Sequence, residues 1–235
     1  LRRIPGTKEK LMQAGDILVK QPQQWRGQWQ KYFGGQAPLF LEIGSGRGRF
    51  ITTAAMQDPN HHYIALELRE EMVQTAIDRL EGNIPPNLCF LWQDAAFLTE
   101  AFAPGEVERI YLHFSDPWPK RRHAKRRLTH RNFLAQYQEV LSPTGELILK
   151  TDSYDLFTFS QHELVACGWR LEEVDWAYHE TVDPTNIPTE YELRFRRQGK
   201  PLYRLTARPA ARKEPKTMEY SSTRGNSPHV TAGQA

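Results

Sequence analysis

The feature that most constrains this chain is a short apolar run that ends on glycines. Leu39–Ile43 (LFLEI) leads into Gly44-Ser45-Gly46-Arg47-Gly48, and a helical pattern follows from about Phe50 to Gln57. Glycine supplies the left-handed backbone that a tight turn needs, and it lets a ligand approach the main chain. Strand, glycine turn and helix in this order form the opening unit of a doubly wound sheet, where ligands bind beyond the carboxyl ends of the strands.

The alternation continues. Apolar, β-rich runs at Tyr63–Leu66, Leu88–Trp92, Val107–Phe114 and Glu146–Thr151 are interleaved with helical patterns. One helix is expected over Glu70–Leu80, with Met72, Ala76 and Leu80 on one face, and another over Arg131–Leu141, followed by a Ser-Pro-Thr-Gly turn. Further on, the pattern predicts a helix over Leu156–Ala166, a strand over Trp169–Tyr178 and a polar stretch with Pro184 and Pro188. A helix over Glu190–Arg197 and a strand over Pro201–Ala207 close the series. Strands spaced by helices predict the α/β class: a doubly wound, mostly parallel sheet with helices on both faces. Residues 1–30 read as a basic, partly flexible extension and 31–207 as one domain. Residues 208–235, polar and without periodicity, read as a disordered tail.

The net charge of +3 is uninformative until it is placed along the chain. Residues 120–127 read KRRHAKRR, six basic residues in eight with no acid. Smaller basic excesses lie in residues 1–10 and beyond 207, so the rest of the chain is an acidic body. Such a run serves elsewhere as a solvated face or an address. Attraction to a polyanion is the stronger reading, and nucleic acid is the obvious one. No stretch approaches the roughly 18 apolar residues of a membrane span. The basic start at Leu1–Lys10 has no apolar run behind it, so it does not read as a signal peptide. Two cysteines, Cys89 and Cys167, are too few for a disulfide framework or a zinc site, and are expected as buried free thiols of a cytoplasmic protein. Neither a metal nor a membrane partner is expected.

The glycine spacing is GxGxG. A dinucleotide fingerprint needs glycine at position 49, where this chain has Arg49. Glu42, two residues before the first glycine, favours a cationic, phosphate-free cofactor such as S-adenosylmethionine. Glu67 ends the second strand, where a carboxylate can receive both ribose hydroxyls. Asp94 follows the third strand, within reach of an adenine amino group. Taken singly, Glu67 and Asp94 read as loop or helix-cap acids. Three acids at the ends of three successive strands outweigh that reading.

Ser115-Asp116-Pro117-Trp118-Pro119-Lys120 follows the fourth strand. Proline pushes Asp116 towards an extended backbone, and Pro-Trp-Pro stiffens the loop. A carboxylate and an indole on a stiff loop suit a planar base held by stacking and edge hydrogen bonds, although Trp118 alone also fits a plug at the sheet edge. His113 reads as a packed strand residue, His123 as an RNA contact or solvated, and Lys150 as a strand residue with a solvated head. Thr189–Glu192 has the spacing of a capping box as well as that of a site segment.

The Glu42–Gly48 turn, SDPWPKRRHAKRR at 115–127, Lys150-Thr151-Asp152 and Thr189-Glu190-Tyr191-Glu192 occur in this order. Together they resemble the bacterial tRNA (guanine-N7-)-methyltransferases over roughly residues 10–207. The resemblance implies a Rossmann-like, seven-stranded class I methyltransferase fold, S-adenosylmethionine as donor, and guanine 46 of the tRNA variable loop as target. It places cofactor contacts on Glu42, Glu67, Asp94 and Asp116, beside the backbone of Gly44, Gly46 and Gly48. The catalytic aspartate falls on Asp116, and substrate contacts fall on Lys120, Asp152, Thr189, Glu190, Tyr191 and Glu192. RNA contacts fall on Arg121, Arg122, His123, Lys125, Arg126 and Arg127. The expected partner is tRNA and the expected state a monomer or homodimer. The competing readings are a methyltransferase for another RNA, a protein or a small molecule, and a non-catalytic RNA-binding protein on the same fold.

Overall fold

Alternate residues of Leu39–Ile43 (β1) enter different cores: Leu39, Leu41 and Ile43 pack on one face, Phe40 on the other. His62–Glu67 (β2) and Leu88–Trp92 (β3) divide in the same way, and β1 and β2 are buried along their whole length. Continuous apolar strands of this kind belong to sheets covered on both sides. The computed structural model describes residues 5–178 and 186–210, and within them the sheet has seven strands.

Val107–His113 (β4), Leu141–Thr151 (β5), Trp169–Asp175 (β6) and Tyr203–Pro209 (β7) complete the sheet in the order β3-β2-β1-β4-β5-β7-β6. The pairs from β3 to β5 are parallel, while β7 runs antiparallel to both β5 and β6. The short helices Thr7–Leu11 (α1) and Trp29–Phe33 (α2) precede the sheet. Arg49–Gln57 (α3) and Glu70–Asp78 (α4) cover the Phe40 face through Phe50, Ile51, Val73 and Ala76. Leu98–Ala101 (α5), Arg131–Val140 (α6) and Tyr154–Ala166 (α7) cover the other through Leu98, Leu134, Tyr137, Phe157 and Leu164. Glu190–Arg197 (α8) leads into β7. No helix among the described residues is long and apolar enough to cross a membrane.

The sequence pattern and the structure differ in instructive places. The buried face of α4 is Val73 and Ala76, with Leu80 just beyond it, whereas Met72 is only half-buried. The Ser-Pro-Thr-Gly segment does not leave the sheet; it lies inside β5, which pairs Val107 with Leu141 and shifts register before Arg109 meets Glu146. β7 runs to Pro209, past the expected domain edge at 207. Residues before 31 also contribute to both cores. Trp29 is fully buried, stacks on Phe102 and donates from Nε1 to the Ala101 carbonyl at 2.9 Å. Leu18 forms a parallel bridge with Phe90 beside β3. Cys89 is buried as expected, but Cys167 is only half-buried. Arg208 and Pro209, the first residues of the expected tail, are thus strand, while Arg2, Arg3, Pro184 and residues 211–235 lie outside the described residues.

Candidate functional site

The strand order reverses between β1 and β4, and the crevice beyond their carboxyl ends is the ligand position of a doubly wound sheet. The glycine turn lies there. Gly44, Gly46 and Gly48 all have positive φ, between 56° and 75°. Gly48 has a second constraint, because a Cβ at this position would stand 2.8 Å from the Ala76 Cβ on α4. The turn is tied to β2: Gly44 N–H donates to the Leu66 carbonyl at 2.8 Å, and Glu67 accepts from Gly46 N–H and Arg69 N–H, each at 2.9 Å. Glu67 is buried, which raises its carboxyl pKa; these backbone donors oppose the rise. Of the three expected acids, Glu67 is thus bonded directly to the turn.

Glu42 is 2% exposed. Burial, then the nearby Glu67 charge, push its carboxyl well above the usual range. His113 of β4 faces it, with Nδ1 at 3.4 Å from Glu42 Oε1. Burial and the Lys150 ammonium hold the imidazole well below its ordinary pKa, so it is neutral at pH 7. Glu42 Oε2, Ser45 Oγ, both His113 ring nitrogens and Ser115 Oγ are buried here without a hydrogen-bond partner. Buried polar atoms normally have partners, and a group of them at the switch point is suited to a polar, cationic ligand. The Phe50 ring closes the cluster, nearly perpendicular to the His113 ring with the ring centres 4.4 Å apart.

Asp94 takes the cap position of a 3₁₀ turn at Ala95–Phe97, accepting from Ala96 N–H at 2.9 Å, and remains partly exposed. Asp116 is exposed on the loop after β4. That loop is bounded by left-handed Phe114 (φ 51°) and contains left-handed Trp118 (φ 41°), both uncommon for bulky residues. Trp118 is half-buried. Its indole meets His123 edge-on at 5.7 Å and carries the Arg126 guanidinium on its face at 4.8 Å. The basic run forms a 3₁₀ turn at Arg121–Arg126 after the exposed Lys120, presenting Arg121, Arg122, Lys125 and Arg126 to solvent, whereas Arg127 is buried.

The segment before α8 reaches the glycine turn from more than 130 residues away, with Arg49 Nε 3.4 Å from the Pro188 carbonyl. Glu190 pairs with Arg79 and lies 3.9 Å from Arg47. Thr189 is the cap its spacing predicts, accepting Glu192 N–H at 3.0 Å. Glu192 is completely buried, held by Asn186 Nδ2 at 2.7 Å, Arg196 Nη2 at 2.5 Å and Lys150 Nζ at 3.5 Å. Lys150, expected with a solvated head, is therefore a buried partner of this network. The β5 alternation supplied the only signal, since it places Lys150 on the same face as Ile148. Tyr191 is 52% exposed and stacks on Phe114 at 6.3 Å, beside the Asp116 loop. Asp152 stands 3.9 Å from Lys200 at the end of β5.

A family model described as a putative methyltransferase matches residues 36–205. The tRNA (guanine-N(7)-)-methyltransferase of Lachnoclostridium phytofermentans is 47% identical over 208 residues, covering 88% of this chain and 97% of the relative. The protein of the same name from Brevibacillus brevis is 44% identical over the same shares of both chains. Among solved structures, a 16S rRNA (adenine(1408)-N(1))-methyltransferase from Catenulisporales acidiphilia, with its cosubstrate SAM, has a TM-score of 0.60 at 16% identity, covering 80% of this chain and 93% of that one. The 16S rRNA methyltransferase KamB has a TM-score of 0.59 at 16% identity, covering 77% and 91%. These two share the Rossmann-like architecture of class I methyltransferases.

Proposed function

Because this chain belongs to the bacterial tRNA (guanine-N(7)-)-methyltransferases, we propose that it methylates N7 of guanine 46 in the variable loop of tRNA, in the cytoplasm. The carrying observation is an adjacency: a buried, incompletely bonded carboxyl cluster at the β1–β4 switch lies beside an exposed aspartate loop that continues into a basic face.

S-adenosylmethionine, when bound, supplies an electrophilic methyl group on a sulfonium. The residues present fit it. Glu42 Oε2 is a buried acceptor without a hydrogen-bond partner, which suits a cationic group, and Ser45 Oγ of the glycine turn is likewise unpartnered. Glu67, already fixed by two backbone donors, keeps lone pairs for ribose hydroxyls. Asp94 takes the adenine amino group, and the Cβ-free turn at Gly44, Gly46 and Gly48 admits the ligand to the backbone.

Guanine N7 carries a lone pair and no proton, so the reaction needs no obligatory base. The protein must hold N7 in line with the methyl group, and alignment of that sort contributes roughly 7–11 kcal/mol in favourable cases. Asp116 holds the base by its N–H edge or the donor's amino group, and its charge stabilises the ring as it becomes cationic. Tyr191, exposed beside Phe114, offers a stacking face, and Lys120 and Asp152 complete the pocket. Thr189, Glu190 and Glu192 hold that segment in place, while Arg121, Arg122, His123, Lys125 and Arg126 meet the phosphates. Methyl transfer from labelled donor to tRNA transcripts, with nucleoside analysis, tests this reading. The expected product is 7-methylguanosine, lost when nucleotide 46 is adenine. Methylation unaffected by that change would move the target elsewhere.

A further inference from the structure

The basic run does not act as one surface. Arg121, Arg122, Lys125 and Arg126 are exposed, but Arg127 is 8% exposed and turned inward. Its Nε donates to the Pro117 carbonyl and its Nη2 to the Trp118 carbonyl, each at 3.1 Å. The guanidinium lies over the Phe159 ring of α7 at 4.3 Å. Both bonds therefore fall on successive carbonyls at the strained residue of the Asp116 loop.

The main chain of that loop has little else to hold it, although the Trp118 ring also meets His123 and Arg126. Phe114 N–H still bonds the Lys150 carbonyl at 2.8 Å, and His123 N–H bonds the Lys120 carbonyl at 2.8 Å. Between Phe114 and Lys120 no backbone–backbone hydrogen bond forms among the described residues, and Pro117 and Pro119 have no N–H to donate. A left-handed tryptophan persists only where its surroundings over-determine it. The planar fork of Arg127 supplies that restraint through two donors of fixed geometry, which the single ammonium of lysine cannot reproduce.

We propose that Arg127 is a positioning residue that locks the Asp116–Pro119 loop in its reactive shape, and that it is not a phosphate contact. The proposal rests on the reading of Asp116 as the residue that holds the base or the donor. It also separates Arg127 from the neighbours with which it shares a sequence motif.

Arg127→Lys is the discriminating variant, because it keeps the charge and removes the fork. Expected are a fall in kcat of at least tenfold, unchanged tRNA affinity and salt dependence, and faster amide exchange at Phe114 and His123, the hydrogen-bonded amides that flank the loop. Arg127→Ala should likewise leave the salt slope of tRNA binding unchanged. A wild-type kcat in Arg127→Lys, or a slope flattened in Arg127→Ala by the 0.7–0.9 or so that one phosphate partner contributes, overturns the proposal. Should Arg127→Lys melt too low to assay, Phe159→Leu decides: it removes the ring under the guanidinium, and kcat and exchange both unchanged would overturn the role. The exchange readout needs no RNA. A wild type that methylates no tRNA therefore refutes the functional reading, while loop exchange still decides the anchoring.

Discussion

His113 Nδ1 stands 3.4 Å from Glu42 Oε1 across the β1–β4 pair, with both side chains buried. Each group is pushed towards its neutral form by burial, and Glu42 additionally by Glu67. A carboxyl in this state regains its charge most readily beside a cation. The pair therefore links donor binding to protonation, and it divides the cost of burial from the benefit of binding.

Glu42→Gln should weaken donor binding by about 10- to 100-fold, since a hydrogen bond to a charged group contributes about 1.5–3 kcal/mol. The same change removes a buried acid that resists ionisation, so the donor-free protein should melt no lower than wild type at pH 7. Calorimetric titration and thermal melts measure the two halves. A drop in melting temperature with donor affinity intact would place Glu42 in the core rather than the site.

The His113 imidazole has its pKa lowered in the folded chain, with Glu42 facing it from β1, Lys150 from β5, Arg204 from β7 and Phe50 from α3. Below about pH 6.5 the unfolded chain takes up a proton that the folded one refuses. Its contribution to stability is therefore complete above pH 6.5 and lost as the pH falls towards the depressed folded value. Glu42, raised, acts in the opposite sense: its contribution is present at low pH and is lost as the pH rises through its folded pKa. The urea midpoint should fall less between pH 7 and pH 5.5 in His113→Asn than in wild type; parallel declines contradict the assignment.

Asp116→Asn preserves shape and removes the charge. With a charge-assisted hydrogen bond worth about twice a neutral one, kcat should drop by about 10- to 100-fold, while tRNA affinity stays within about threefold because the basic run is intact. Single-turnover rates and filter binding separate the two. Near-normal turnover with normal binding would remove Asp116 from the chemistry.

Alanine at Arg122, Lys125 or Arg126 should weaken tRNA binding and reduce the log–log salt slope by about 0.7–0.9 for each phosphate that no longer meets a cation. These side chains are exposed, so the melting temperature should not move. An unchanged slope in the triple variant shows that the run does not meet phosphates.

Gly48→Ala combines a left-handed φ with a Cβ at 2.8 Å from Ala76 Cβ. Strain and overpacking each cost about 1–3 kcal/mol. Adding Ala76→Gly relieves the clash and leaves the φ strain, so a double-mutant cycle on chemical denaturation should show partial recovery. Full recovery would show that packing alone demands glycine there.

Much of this architecture is legible in the chain. β1 and β3 fall at their predicted residues, α8 begins at Glu190 under its Thr189 cap, and the glycine turn lies at the switch point. The strand ends of β2 and β6 and the course of residues 141–145 were less legible, because pairing partners set them. The buried contribution of residues 11–29 was hidden behind the basic charge of the first ten residues.

What the sequence determined by itself was local: the alternation that makes strands, the φ > 0 positions that make the turn, and the charge on each segment. These depend on sterics within a few residues. Tertiary structure alone decided the fate of individual polar groups. Arg126 and Arg127 are adjacent and chemically identical, yet one lies over Trp118 and the other is buried against Phe159 and two carbonyls. Lys150 lost its solvent to Asn186 and Glu192, 36 and 42 residues away. Taking a charged group out of water is favourable only where distant segments bring it partners, and a linear pattern does not contain that distance.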